Sequence, residues 1–272
     1  FTWGGNLGSL VIMDLEKMIK SGWFQVVSVG VMVALLYHAF LGAKYPESVS
    51  FEATRVGWYE GNFYVKVVDL GVDEVRFVWK DGTGARYGSI GAWKDELAEN
   101  GRDLVFAMNG GMYEEDGAPK GLFIEKGEVQ SEIDLLEEGY GNFYMQPNGV
   151  FFITNDGVAG ICKTENFSQQ KKVRFATQSG PMLLIDGEMN GKFRHGSDNK
   201  HIRNGVGLLE DGRLVFAMSK LEVSFYDFAY FLKERGCKNA LYLDGFVSRM
   251  YAPESGVEQL GGDFGVMIGV VK

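Results

Sequence analysis

The chain is poor in histidine, cysteine and proline, with 3, 2 and 5 of them in 272 residues. No two histidines sit at a metal-binding spacing such as HExxH. The two cysteines, Cys162 and Cys237, form no CxxC, which excludes a zinc ribbon or a thioredoxin-type centre. They either pair or remain separate thiols. Scarce proline argues against long disordered linkers. Basic residues are also in deficit: 27 Lys and Arg against 36 Asp and Glu leave a net charge of -9. That sign is wrong for a face that must meet nucleic-acid phosphates. There is no GxGxxG after a strand, no Walker A pattern and no GxSxG elbow, so nucleotide motifs and an α/β-hydrolase triad are missing.

One long hydrophobic run is present. Residues 23–43 (WFQVVSVGVMVALLYHAFLGA) carry no formal charge, and about 20 such residues suit a membrane span or a signal-peptide core. Lys17 and Lys20 stand just before it, as an n-region requires. The segment at about 18–43 therefore reads as a signal peptide or a signal anchor. Ala43 is small, but Leu41 occupies a position where a small residue favours cleavage, so both forms stay open. Residues 1–43 are expected outside the core, and 44–272 to form a single domain. Its expected location is periplasmic or extracellular, with anchoring to the inner membrane if the segment is retained.

Glycine is abundant, at 38 residues. It punctuates short apolar runs: residues 62–70, 74–79, 104–108, 240–243 and 264–271 read as strands. Four hairpins are predicted, at 122–129, 150–161, 182–189 and 207–218, each turning on Lys-Gly or Asp-Gly. Residues 104–108 and 214–218 are both LVFAM, which reads as two similar core strands. A short helix is expected at 93–100. A longer one follows Ser224, with Asp227 completing a capping box and Gly236 stopping it. The expected fold class is α+β: an antiparallel-rich mixed sheet with several hairpins, flanked by a few helices.

Candidate functional residues cluster at strand ends. Asn109, Gly110, Gly111 and Tyr113 follow a buried strand. Their glycines let the backbone approach a ligand and expose peptide N–H groups, or simply form a tight turn. Ser179 and Gly180, before Pro181, read as a ligand contact or as a bend bonded to its own backbone. The loop at 193–204 (FRHGSDNKHIRN) gathers Arg194, His195, Lys200, His201 and Arg203 in an acidic protein. It reads as an anion site or as a solvated loop. Asp244 and Gly245 end an apolar strand, and Ser248 follows; aspartate there suits acid/base work, metal ligation or an Asx turn.

Taken in order, these motifs resemble the phosphodiester glycosidase family. The Asn-Gly-Gly-x-aromatic turn is matched by Asn109, Gly110, Gly111 and Tyr113. The Ser/Gly/Pro bend is matched by Ser179, Gly180 and Pro181. The Arg-x-x-x-Gly pattern is matched by Arg203 and Gly207, and the Leu-Asp-Gly-Gly turn with its serine by Leu243, Asp244, Gly245 and Ser248. Phe246 departs from the pattern by replacing the second glycine of that turn. The resemblance covers roughly residues 104–271 and implies a phosphodiester-glycosidase-like domain that takes a carbohydrate or sugar-phosphate substrate. An exported hydrolase acting on a sugar–phosphate diester or related envelope glycoside is thus expected. Asp244, Arg203 and Asn109 would be its catalytic residues. Gly110, Gly111, Tyr113, Ser179, Gly180, His201, Arg194, Gly245 and Ser248 would bind substrate. A second carboxylate would come from Asp186, Asp198 or Asp263. No cofactor is expected; were a metal used, oxygen ligands would suit Ca²⁺ or Mg²⁺. The alternative is a non-catalytic binding module for envelope glycans or anionic polymers.

Overall fold

Local sequence sets most of the elements. The computed structural model describes residues 61–167, 172–244 and 247–272. All of them belong to one compact unit, Trp58–Lys272. The hydrophobic run at 23–43 lies outside the described residues. Among the described residues no helix is long and apolar enough to cross a membrane.

Four hairpins form where Lys-Gly and Asp-Gly turns predict them. They join β4 (Phe123–Glu125) to β5 (Glu128–Ser131), β6 (Gly149–Thr154) to β7 (Ala159–Lys163), β9 (Met182–Ile185) to β10 (Glu188–Met189), and β11 (Asn204–Leu209) to β12 (Leu214–Ser219). Lys126 and Gly127 have φ of 52° and 88°, and Asp186 and Gly187 have 50° and 86°. Two consecutive positive φ angles give the turn whose twist matches its flanking strands.

Helix α1 (Ile90–Glu99) begins three residues before its predicted start, because the Ser89 hydroxyl accepts from the Ala92 N–H and caps it there. A one-turn helix, α2 (Thr164–Phe167), follows β7. Helix α3 (Phe225–Glu234) carries the expected capping box between Ser224 and Asp227.

The remaining strands are β1 (Phe63–Val68), β2 (Glu74–Val78), β3 (Leu104–Asn109), β8 (Val173–Ser179), β13 (Cys237–Tyr242), β14 (Met250–Ala252), β15 (Val257–Glu258) and β16 (Met267–Val271). They build three sheets, ordered β1-β12-β11-β13-β9-β10, β15-β14-β3-β16-β2 and β5-β4-β8-β6-β7. Every ladder among the described residues is antiparallel. The expected mixed pairing is corrected accordingly. The fold is sheet-rich, with few helices.

All three sheets turn one face to a shared aromatic core. Phe106 on β3 and Phe216 on β12 hold equivalent places in the two LVFAM strands, and their ring centroids lie 5.2 Å apart. Phe151 on β6 lies 5.1 Å from Phe77 and 6.0 Å from Phe216. The opposite faces are covered by helices. On β12, Phe216 and Met218 enter the central core while Val215 and Ala217 face α3. On β6, Phe151 and Ile153 point inward while Val150 and Phe152 meet Phe167 of α2. Trp93 of α1 packs over Ala107 and Met267. Strands buried on both faces lose the alternation of a half-exposed sheet.

Strand β8 was not anticipated, because its final residues Thr177, Gln178 and Ser179 are polar yet buried. The Gln178 amide resolves the conflict. It accepts from the Leu122 and Asp134 N–H groups and donates to Asp134 O and Thr164 Oγ1. A buried amide with four partners costs little, whereas an unpaired one would be expensive. Both cysteines are free. Burial pushes the Cys162 thiol up to about 11 and the Cys237 thiol up to about 12, so neither supplies a thiolate at neutral pH.

Candidate functional site

Four distant segments meet where β3, β8 and β13 end and β11 begins. Asp244 is held by its backbone. Its N–H donates to Gly110 O at 3.0 Å, and its carbonyl accepts from Asn109 Nδ2 at 2.5 Å. Asn109 is buried and its amide is used within the protein. Its Oδ1 accepts from Asn204 Nδ2 at 3.0 Å and from the Arg249 N–H at 2.9 Å. Asn204 also donates to Asn109 O, and its own carbonyl accepts from the Leu243 N–H. Asn109 therefore joins the ends of β3, β11 and β13, and holds Asp244 rather than a ligand. The Asp244 residue itself is half-buried.

The glycines serve packing. Gly110 donates its N–H to Val266 O at 2.7 Å, so that group is not offered to a substrate as the sequence suggested. A Cβ on Gly111 would collide with Thr177 Oγ1 and would stand 2.7 Å from Gln178 O on β8. Gly180 lets the segment around Phe143 and Asn148 approach; a Cβ there would be 2.6 Å from Phe143 O and 2.8 Å from Asn148 Cβ. Gly111→Ala is expected to destabilise the fold by about 1–3 kcal/mol through overpacking. Gly191→Ala, where nothing lies within 4 Å of the added carbon, should change it by less than about 0.5 kcal/mol. Urea unfolding of both variants checks this, and equal midpoints would refute it.

Arg203 is fully buried. Its Nε donates to Val223 O at 2.8 Å, and Nη2 donates to Asn199 O and Oδ1 at 3.0 and 2.8 Å. The guanidinium stacks 3.6 Å from the Phe225 ring centroid and 5.4 Å from that of Tyr242. Among the described residues it makes no ion pair. Nη1 is buried without a partner at hydrogen-bonding geometry, although the Tyr242 hydroxyl bears on the group from nearby. Burial lowers the pKa of Arg203 from its ordinary value, and Tyr242 partly offsets this. Such a cation beneath a surface favours negative charge above it.

Arg194 and His201 are exposed, as are His195 and Lys200 of the same basic loop. His201 pairs through its backbone with Val223. Arg194 lines a cavity of about 140 Å³ with Lys192, Ser197, Asn199, Phe225 and Tyr226. Asn199 and Phe225 both touch Arg203, so the buried guanidinium lies behind this cavity's wall. Ser179 Oγ is buried without a partner, and Ser248 Oγ donates to Ile202 O at 3.4 Å. Gly245 and Phe246 lie outside the described residues.

Tyr113 donates its hydroxyl to Asp263 O at 2.7 Å. Burial first, then the charges of Asp244 and Asp263, push its phenol up to about 12. Of the three proposed second carboxylates, Asp263 is thus the one that shares a neighbour with Asp244. It pairs with Arg86 at 2.7 Å. Asp186 sits in the β9–β10 turn, whose Gly187 bonds Lys238 O at the far end of β13. Asp198 is exposed in the basic loop. Among the described residues no three His, Cys, Asp or Glu side chains group as a metal site.

Sequence reasoning missed Asn204, Asn199 and Gln178. The signal for Asn204 was an Asn opening an apolar strand, the same depletion argument that marked Asp244.

A profile of the phosphodiester glycosidase family matches residues 102–264 and takes in all four strand-end motifs. The chain is 37% identical over 201 residues to the uncharacterized protein YigE of Escherichia coli (strain K12), which covers 74% of this chain and 78% of that protein. Among solved structures, the catalytic domain of zebrafish N-acetylglucosamine-1-phosphodiester alpha-N-acetylglucosaminidase, auto-inhibited by its pro-peptide, aligns with a TM-score of 0.46 at 18% identity, over 77% of this chain and 88% of that one. A hypothetical protein from Synechocystis aligns with a TM-score of 0.49 at 13% identity, over 78% and 60% of the two chains. On the strength of the sequence matches, this chain belongs to the phosphodiester glycosidase family.

Proposed function

We propose that this protein is an exported hydrolase that cleaves a sugar–phosphate diester or a related envelope glycoside at the Asp244 centre. The observation that carries the reading is the clasp on Asp244: a half-buried residue whose backbone is fixed from both sides. Family membership supports the reaction class. The bond broken is the one between the sugar's anomeric carbon and the bridging phosphate oxygen. Water, activated by the Asp244 carboxylate or following its direct attack, supplies the new hydroxyl. Phosphate leaves as a stabilised anion and needs no general acid. Its charge is received by Lys192 and Arg194 in the small cavity, with Arg203 as a fixed positive charge behind the wall.

Export rests on the uncharged run at 23–43. It places the protein in the periplasm or outside the cell, or tethers it to the inner membrane if that run is retained. A second reading, binding without cleavage, is favoured by one observation: the amide of Asn109 and the guanidinium of Arg203 are turned to internal partners. The deciding experiment incubates the full chain with a panel of sugar-1-phosphate diesters, with and without EDTA. Release of free sugar and phosphomonoester, insensitive to EDTA, is expected. No release from any diester would favour the binding reading.

A further inference from the structure

A larger cavity, of about 380 Å³, adjoins the small one through Lys192, which lines both. Its size falls in the range of small-ligand sites, about 300–1,000 Å³. Asn148 on its lining is the side chain against which Gly180 packs, in the bend that follows β8. The Pro181 carbonyl next to Gly180 accepts from the Tyr242 N–H, two residues before Asp244.

Three properties of this cavity identify its ligand class. Its lining mixes three carboxylates, Asp134, Glu137 and Glu165, with two ammonium groups, Lys163 and Lys192. That near-balance suits a neutral ligand rich in hydroxyls. The small cavity contrasts with it by carrying Lys192 and Arg194 and no carboxylate. Second, Asn148 is 4% exposed, yet its Nδ2 has no hydrogen-bond partner. A buried amide donor left unpaired is costly, and a small rotation of the Asn148 side chain toward the cavity it lines would let a ligand hydroxyl accept from it. Third, Leu135 and Leu136 stand on the lining at 67% and 64% exposure. Apolar side chains beside a polar floor match a pyranose ring, which has apolar C–H faces and a polar hydroxyl edge.

We propose that this cavity is a subsite for neutral sugar units, so that the substrate is a glycan chain extending beyond the bond that is cleaved. The inference rests on the hydrolase reading only for where that bond lies; binding in the cavity stands by itself. The test therefore measures binding without turnover. Maltohexaose, cellohexaose and N-acetylated chitohexaose are titrated into the full chain and followed by calorimetry. At least one is expected to bind. The double variant Leu135→Ser and Leu136→Ser should weaken that binding about tenfold or more. Glu137→Ala, a second exposed change on the lining, should weaken it in the same direction. Absence of binding by all three hexasaccharides, or binding indifferent to both variants, would overturn the proposal. Failure of the diester panel alone would leave it standing.

Discussion

Asp244→Asn is expected to lower turnover of the diester substrate by about 10²–10⁴-fold, the usual worth of a positioned acid or base, while the protein stays folded. The clasp on this residue uses its peptide N–H and C=O, which the substitution leaves in place. Asn has nearly the shape of Asp and keeps both backbone bonds, so the variant should retain the fold. Steady-state kinetics and a thermal melt on the same preparation separate the two effects. A kcat within a few-fold of the parent would remove Asp244 from the chemistry. Loss of ligand affinity, in a protein that never turns over, would support a binding module. An independent readout comes from Tyr113, whose phenol stands at about 12 partly because the anionic Asp244 disfavours phenolate. Removing that charge should lower the Tyr113 pKa, and ultraviolet titration would follow it. An unchanged value would mean that the carboxylate does not face the Tyr113 side of the site.

Arg203 yields the second large effect, and two variants are needed to divide it. Arg203→Ala opens a void beneath Phe225 and Tyr242 and releases the loop held through Asn199. A loss of about 2–5 kcal/mol is expected, as for other large-to-small changes in a packed interior. Arg203→Met restores most of the volume and removes a cation that burial penalises without an ion pair. Of the acceptors that lose a donor, Val223 O still accepts from the His201 N–H at 3.2 Å, and Asn199 O and Oδ1 belong to an exposed residue that water can reach. The methionine variant should therefore recover most of the stability lost in the alanine variant. Its hydrolysis of phosphodiesters should remain impaired, because the fixed positive charge behind the small cavity is gone. Urea midpoints and kcat/KM for a diester, measured on both variants, check this. Full activity in Arg203→Met would make the residue a packing element only.

The hairpins and the capped helix were legible because their signals are local. Lys126-Gly127 and Asp186-Gly187 carry their backbone geometry in the dipeptide, and Ser224 with Asp227 closes a bond three residues away. Strands β8, β14 and β15 were not legible. Gln178 sits in a strand because Leu122, Asp134 and Thr164, remote in the chain, supply its partners. The strand-end residues were readable as a set, but their individual tasks were not. Asn109 and Asn204 look alike as polar residues at strand ends, and only their mutual bonds show that each serves the other.

The sequence by itself determined an acidic, antiparallel-rich, hairpin-rich domain with family motifs in a fixed order, because charge, turn chemistry and residue order are properties of the chain alone. Only the tertiary structure decided which polar groups of those motifs are spent on internal partners. A donor spent on a neighbouring carbonyl cannot also serve a substrate, and that neighbour is chosen by folding. Gly110 gave its N–H to Val266, Asn109 gave its amide to Asp244, and Arg203 turned inward onto Phe225. What remained at the surface was the Asp244 residue and, beside the basic loop, two cavities joined at Lys192.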